Sequence, residues 1–157
     1  KLSEAGVVVP DFLTHRPGKG KWYARQYSHH DGSDLTKGLK EGDFYVRHTD
    51  TVKEFRVHVF KGKIIRSSLK VPLNAAADPI FKTGDYWGFS DADWAHKLGP
   101  CGDAALEAVA AVGYDFGGVD VALLTDNTAL VFEVNAAPWL SGDAGRKYAK
   151  AIAGVAS

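Results

Sequence analysis

Gly118-Val119-Asp120-Val121-Ala122-Leu123-Leu124-Thr125-Asp126-Asn127-Thr128-Ala129-Leu130-Val131-Phe132-Glu133-Val134-Asn135 is the stretch on which the reading of this chain turns. Two β-branched, apolar runs flank a short polar Thr-Asp-Asn-Thr segment, the pattern of a β-hairpin. Taking Asp126-Asn127 as a two-residue turn pairs Thr125 with Thr128 and sets the register. Leu124 then opposes Ala129, Val121 opposes Phe132, and Asp120 opposes Glu133. One face collects Val119, Val121, Leu123, Leu130, Phe132 and Val134, as a core face should. The other carries Asp120 and Glu133 side by side, with Asn135 two residues further on.

Directly opposed side chains have Cβ atoms roughly 4.5–5.5 Å apart, and two carboxylates at that spacing repel. A divalent cation reverses the sign. Two carboxylates and an amide form an all-oxygen donor set suited to Mg²⁺ or Mn²⁺, hard ions usually bound together with phosphates. A solvated acidic face is the alternative, and spacing alone does not choose between them. The strand end opening into Asn135-Ala136-Ala137-Pro138 is the kind of place where ligands are held.

Outward from the hairpin, Lys53 to Phe60 alternates, with Phe55, Val57 and Val59 on one face and Glu54, Arg56 and His58 on the other. Lys61-Gly62 reads as a tight turn into a strand from Lys63 to Val71. One extra residue in that connection would swap the faces of Arg66 and Lys70. Asp43–Arg47 and Trp22–Tyr27 read as short strands. Asp103–Val112 reads as a helix stopped by Gly113, and Asp143–Val155 as a terminal helix. Residues 2–9 read as a helix end, a Gly stop and a short strand, and residues 74–100 as mostly loop. Strand pairs joined by tight turns, with helices between, imply an α+β fold rich in antiparallel pairing.

Bulk properties narrow the classes. Lys plus Arg equals Asp plus Glu at 19 each, so there is no strong nucleic-acid signal in the net charge. No apolar run approaches the roughly 18 residues of a membrane span, and no signal peptide is visible. Cys101 is the sole cysteine, which excludes an intrachain disulfide and makes a reducing, cytoplasmic location the simpler expectation. The chain begins at Lys1 and contains no Met, as a processed chain or a fragment would.

Three separated stretches carry a resemblance. Asp115-Phe116-Gly117-Gly118-Val119-Asp120-Val121 with Val131-Phe132-Glu133-Val134-Asn135-Ala136-Ala137-Pro138 resembles the "D-F-G-x-V-D-V … E-V-N-x-x-P-G" pattern of the ATP-grasp superfamily. Glu54-Phe55-Arg56-Val57-His58-Val59-Phe60 with Gly62-Lys63-Ile64-Ile65 is similar to its "E-Y-R-V-H-V-F-x-G-K-V-I". Leu2-x-x-Ala5-Gly6-Val7-x-x-Pro10 is similar to "L-x-x-A-G-I-P-x-P". The resemblance implies an ATP-grasp fold of two small lobes with largely antiparallel sheets, divided at 1–45 and 46–157. It implies ATP and Mg²⁺ (or Mn²⁺) as cofactors, with Asp120, Glu133 and Asn135 as metal ligands. The backbone of Asp43, Phe44, Tyr45 and Val46 would meet adenine, Glu54 the ribose, and Arg25 the phosphates under a flap at Ser28–Asp34. Lys70, with Arg56 and Arg66 as rivals, would supply positive charge near the transferred phosphoryl group, although Glu54 and Arg56 could also pair with each other. His29 and His30 read as part of the flap, and Trp87, Trp94 and Trp139 as packing residues.

The implied activity is ATP-dependent carboxylate–amine ligation of small-molecule or peptide substrates through an acyl phosphate. Four departures set this chain apart from the pattern. Trp139 stands where the pattern has Gly, and Gly118 where several of its ligases hold an arginine. The flap is polar, and the family's N-terminal substrate domain would have to come from a missing segment or a partner chain. Trp139, Gly118 and the absent substrate domain favour the alternative of a non-catalytic binding or assembly module, while the intact Asp120, Glu133 and Asn135 oppose it.

Overall fold

Alternation along β4 (Thr51–Phe60) buries Phe55, Val57 and Val59 on one side and leaves Glu54, Arg56 and His58 on the other. This strand organises the larger of two sheets in the computed structural model, which describes residues 1–25, 41–75, 87–138, 140 and 142–155. The flap at Ser28–Asp34, with His29 and His30, lies outside the described residues, as do Trp139 and the side chain of Trp87. The chain divides into two compact units, Lys1–Val9 with Thr51–Lys70 and Phe89–Ser157, and Pro10–Asp50 with Val71–Gly88. This division differs from a single cut between residues 45 and 46, because residues 1–9 pack with the later strands. Both sheets are antiparallel and two α-helices accompany them, so the α+β expectation holds.

The larger sheet has the strand order β6–β5–β4–β7–β8, from β5 (Lys63–Pro72), β6 (Trp87–Phe89), β7 (Phe116–Leu124) and β8 (Ala129–Asn135). Its apolar face packs against α1 (Pro100–Val112). Cys101, Ala105, Ala108 and Val109 of the helix are buried with Phe55, Val57, Val59, Val119, Val121 and Val131. Their spacing forms one helical stripe, and its small residues let the helix lie close to the sheet. Pro100 starts α1 three residues ahead of the expected start, at a position where its missing N–H costs nothing. Gly113, at φ 77°, ends it as read. Val7 joins the core, and Val8 O accepts the Val131 N–H without forming a regular strand. The stretch read as loop holds β6 and a 3-10 turn at Ala95–Lys97. Trp94 packs against the core as expected, and its Nε1–H donates to Ser90 Oγ.

Two hairpins depart from the expected register. In the β7–β8 connection, Leu124 N–H donates to Thr128 O, and Asn127 sits at φ 67°. The loop therefore has three residues, Thr125, Asp126 and Asn127, with a left-handed residue last. That moves Ala129 opposite Leu123, Leu130 opposite Ala122 and Val131 opposite Val121, replacing the expected Leu124–Ala129 and Val121–Phe132 pairs. Phe132 is then the extra residue of a β-bulge and is 41% exposed, so it leaves the core face assigned to it. Leu130 is buried, but on the face of Ala122. Beyond the bulge the strands are back in step, and Asp120 does oppose Glu133.

In the β4–β5 hairpin, Lys61 (φ 45°) and Gly62 (φ 70°) make the two-residue turn, and Phe60 opposes Lys63. A bulge at Ile65 then places Arg66 opposite His58 and Ser68 opposite Arg56. The outer edge of β5 is covered partly by side chains. Ser90 Oγ accepts from Leu69 N–H and Asp93 Oδ1 from Ser67 N–H, which blunts an edge that would otherwise invite pairing. The terminal helix α2 (Gly142–Val155) is anchored by the buried Tyr148, whose hydroxyl lies 3.3 Å from Val59 O and 3.0 Å from Gly117 O.

The second unit contains a three-stranded sheet of order β1–β3–β2, from β1 (Phe12–Leu13), β2 (Trp22–Arg25) and β3 (Phe44–Arg47). Ala24 opposes Tyr45, and both are buried. Asp43 N–H donates to Arg25 O just before β3 begins.

Candidate functional site

The two bulges decide what the face opposite α1 presents. With them, Glu54, Arg56 and His58 from β4 share that face with Arg66, Ser68 and Lys70 from β5, Gly118 and Asp120 from β7, and Glu133 and Asn135 from β8. All seven residues expected here in the first unit are thus on one sheet surface. Arg25, Asp43, Phe44, Tyr45 and Val46 belong to the second unit.

Each cation on the face meets a carboxylate. Arg56 is opposite Asp120 and holds it through two parallel hydrogen bonds, Nε to Oδ1 and Nη2 to Oδ2, both 2.7 Å. This fork geometry is the strong form of a charged pair. Burial would lower the Arg56 pKa, but the hydrogen bonds and charge of Asp120, with the charge of Glu133, hold it above its ordinary value. The guanidinium also lies over the Phe89 ring, 4.5 Å from its centre. Lys70 Nζ is 3.4 Å from Glu54 Oε2, and Arg66 is 3.0 Å from Asp143 Oδ2. Glu54 and Arg56 therefore pair elsewhere and not with each other. Lys147 bridges Asp93 and Asp143 and ties the first turns of α2 to the β5 edge.

His58 lies between the arginines. It is 4% exposed, and its Nδ1 has no hydrogen-bond partner among the described residues. Burial, then the charges of Arg56 and Arg66, lower its pKa to about 4 against the opposing pull of Asp120. It stays neutral at pH 7. A cavity of about 200 Å³ is bordered by Arg56, His58, Arg66, Ser68, Phe89 and the first turn of α2.

Toward the other end of the face, Asp120 opposes Glu133 and Gly118 opposes Asn135. Glu133 is exposed and Asn135 half-buried, and among the described residues neither side chain is engaged by a hydrogen bond or ion pair. Two carboxylates against one guanidinium leave one negative charge over, and the uncommitted donors are oxygens. That set fits a hard divalent cation. His, Cys, Asp and Glu alone form no cluster of three among the described residues, so a metal here would depend on the Asn135 amide.

Gly118 has no room for a side chain. A Cβ there would lie 2.6 Å from Pro138 Cβ, so the buried proline ring fills the volume that an arginine would need. Sequence reasoning left three contributors to this face unassigned. His58 was reachable, since it shares parity with Arg56 on a clean alternating strand. Phe89 lies in a stretch without period, and Asp143 meets Arg66 only through tertiary packing.

No family model matches the chain, and no curated protein does. Solved structures do. A D-alanine–D-alanine ligase from Bacillus anthracis is similar at TM-score 0.68 and 15% identity, over 98% of this chain and 60% of that one. The ATP-grasp ligase PsnB, complexed with a phosphomimetic variant of its minimal precursor, Mg and ADP, is similar at TM-score 0.55 and 16% identity, over 92% and 50%. The macrocyclase MdnC from Microcystis aeruginosa, bound with the precursor peptide MdnA, is similar at TM-score 0.53 and 12% identity, over 87% and 51%. This chain therefore spans about half to three-fifths of the length of these ligases. Among its described residues no helix is long and apolar enough to cross a membrane, which says nothing of a β-barrel. From the two antiparallel sheets to the hairpin that ends in Asn135, the chain has the fold of the ATP-grasp superfamily.

Proposed function

We propose that this chain is the nucleotide-binding and catalytic part of an ATP-dependent carboxylate–amine ligase of the peptide-forming type. The observation that carries the reading is the convergence of Arg56, Arg66 and Lys70 with Asp120, Glu133 and Asn135 on one sheet face. Phosphoryl transfer depends on positioning and on offsetting charge spread over the phosphoryl oxygens, and this face supplies groups for both.

In this reading Asp120, Glu133 and Asn135 hold Mg²⁺ or Mn²⁺. When bound, that ion supplies charge neutralisation and orientation of phosphate oxygens. Arg25 faces the phosphates, the backbone of Asp43–Val46 meets adenine, and Glu54 accepts from the ribose. A substrate carboxylate oxygen attacks the γ-phosphorus and ADP leaves. An amine nitrogen then attacks the acyl carbon, inorganic phosphate departs, and the nitrogen loses a proton. Lys70 and Arg66 orient the phosphoryl oxygens through both steps, and no side chain need act as nucleophile. The carboxylate and amine are small molecules or peptide groups, and a further domain or partner chain helps to hold the carboxylate. PsnB and MdnC, whose structures contain precursor peptides, support the peptide form of this proposal.

A second reading, a binding or assembly module without catalysis, is favoured by one feature. Pro138 excludes any side chain at Gly118, so no cation can act from that position.

Calorimetric titration of MgATP into the wild type and Glu133→Ala tests the site. Saturable, Mg²⁺-dependent binding lost in the variant is expected. Absence of binding in the wild type would remove the nucleotide reading. ADP release that requires both an added carboxylate and an added amine separates the ligase from the module.

A further inference from the structure

Both oxygens of Asp120 are occupied by Arg56, while among the described residues neither Glu133 nor Asn135 beside it is engaged by a side-chain hydrogen bond or ion pair. A carboxylate has lone pairs for more than one partner, so Arg56 and a metal could in principle share Asp120. The geometry argues against sharing. The guanidinium fork contacts both oxygens at 2.7 Å. A divalent ion ligated by Asp120 would place two positive charges within a few ångströms of the guanidinium on a half-buried surface, where such repulsion is poorly screened. Phe89 fixes the guanidinium from one side but adds no negative charge to hold it there.

We propose that Arg56 is a resident stand-in for the metal. It neutralises Asp120 until a divalent ion arrives at Asp120, Glu133 and Asn135. The ion then displaces the guanidinium and frees it for an anionic ligand such as a polyphosphate. Arg56 is thus a positioning residue that couples cation binding to anion binding: the ion alone binds at the cost of the broken pair, and an anionic ligand on the freed guanidinium offsets that cost. This inference rests on the metal reading of Asp120, Glu133 and Asn135. It adds that the cost of releasing Arg56 sets the metal affinity.

The test is direct Mn²⁺ binding by electron paramagnetic resonance of the free ion, without nucleotide, on wild type, Arg56→Gln and Arg56→Lys. Displacement predicts that Arg56→Gln binds Mn²⁺ more tightly by about tenfold, equivalent to ~1.4 kcal/mol. Arg56→Lys keeps the charge but cannot form the fork, and it should also bind more tightly, by a smaller factor. Adding inorganic tripolyphosphate should tighten Mn²⁺ binding more in the wild type than in Arg56→Gln. Unchanged or weaker Mn²⁺ binding in Arg56→Gln would overturn the proposal, because Arg56 would then share or support the ligand. Tighter binding in the Gln variant alone would also overturn it, leaving simple charge repulsion. Glu133→Ala in the same assay isolates the underlying reading. If Mn²⁺ binding ignores that change, or if no variant binds Mn²⁺, the metal site fails and the inference fails with it. Thermal unfolding of each variant shows that the fold is intact.

Discussion

Replacing Gly118 by alanine turns the Pro138 contact into a measurement. Gly118 does not have a positive φ, so its backbone suits any residue. In open space the change would stabilise the chain by about 0.4–1 kcal/mol through the unfolded state. The added Cβ would instead sit 2.6 Å from Pro138 Cβ, with Pro138 Cγ at 3.5 Å and Cα at 3.8 Å. Carbon atoms rest at roughly 3.5–4.0 Å, so about 1 Å must be recovered. The obstacle is a buried proline ring tied to its own backbone, not the end of a flexible side chain. Overpacking of this kind costs about 1–3 kcal/mol, which leaves a net loss of about 1–2 kcal/mol. For a chain of this length that is a Tm decrease of roughly 3–7 °C. Urea unfolding followed by far-UV circular dichroism measures it. Pairing the change with Pro138→Gly, which removes the offending Cβ, should recover about 1 kcal/mol relative to the sum of the single changes. A neutral or stabilising Gly118→Ala, or strict additivity with Pro138→Gly, would refute the packing argument.

Two further expectations concern His58 and the β4–β5 turn. His58 titrates near 6.5 when unfolded and is lowered to about 4 when folded, so the unfolded chain binds more protons between those values. Stability is therefore full above about pH 6.5 and falls by an amount on the order of 3 kcal/mol as pH drops toward 4. Urea midpoints at pH 7.5 and 5 should differ more in the wild type than in His58→Gln, and equal differences would count against the buried neutral imidazole. Lys61 occupies the first central position of a type I′ turn at φ 45°, where asparagine is at less cost, so Lys61→Asn should raise stability by about 0.5 kcal/mol. A lower Tm for that variant would show that the lysine contributes more than strain.

Much of the fold was legible because it rests on local rules. The alternation of Phe55, Val57 and Val59 against Glu54, Arg56 and His58, the Ala-rich helix stopped at Gly113, and the Lys61-Gly62 turn are short-range signals with short-range causes. The pairing of Asp120 with Glu133 was also read, but along an incomplete route. The expected loop was one residue too short and the bulge at Phe132 was unforeseen, and the two errors cancel because each shifts the register by one.

By itself, then, the sequence determined the element types, the strand parity around Arg56 and Asp120, and the oxygen-rich chemistry of Asp120, Glu133 and Asn135. Tertiary structure decided the faces of Arg66 and Lys70. The bulge at Ile65 inserts one residue and so reverses the parity of everything after it, which brings Arg66 beside His58 and Lys70 beside Glu54. It also decided the partners: Arg56 with Asp120 across 64 positions of sequence, Arg66 with an aspartate on the last helix, and Pro138 against Gly118. A bulge is chosen by how well a whole strand packs on the layer beneath it, and an ion pair by which strands become neighbours. Both are sums over distant residues, and no local window contains them.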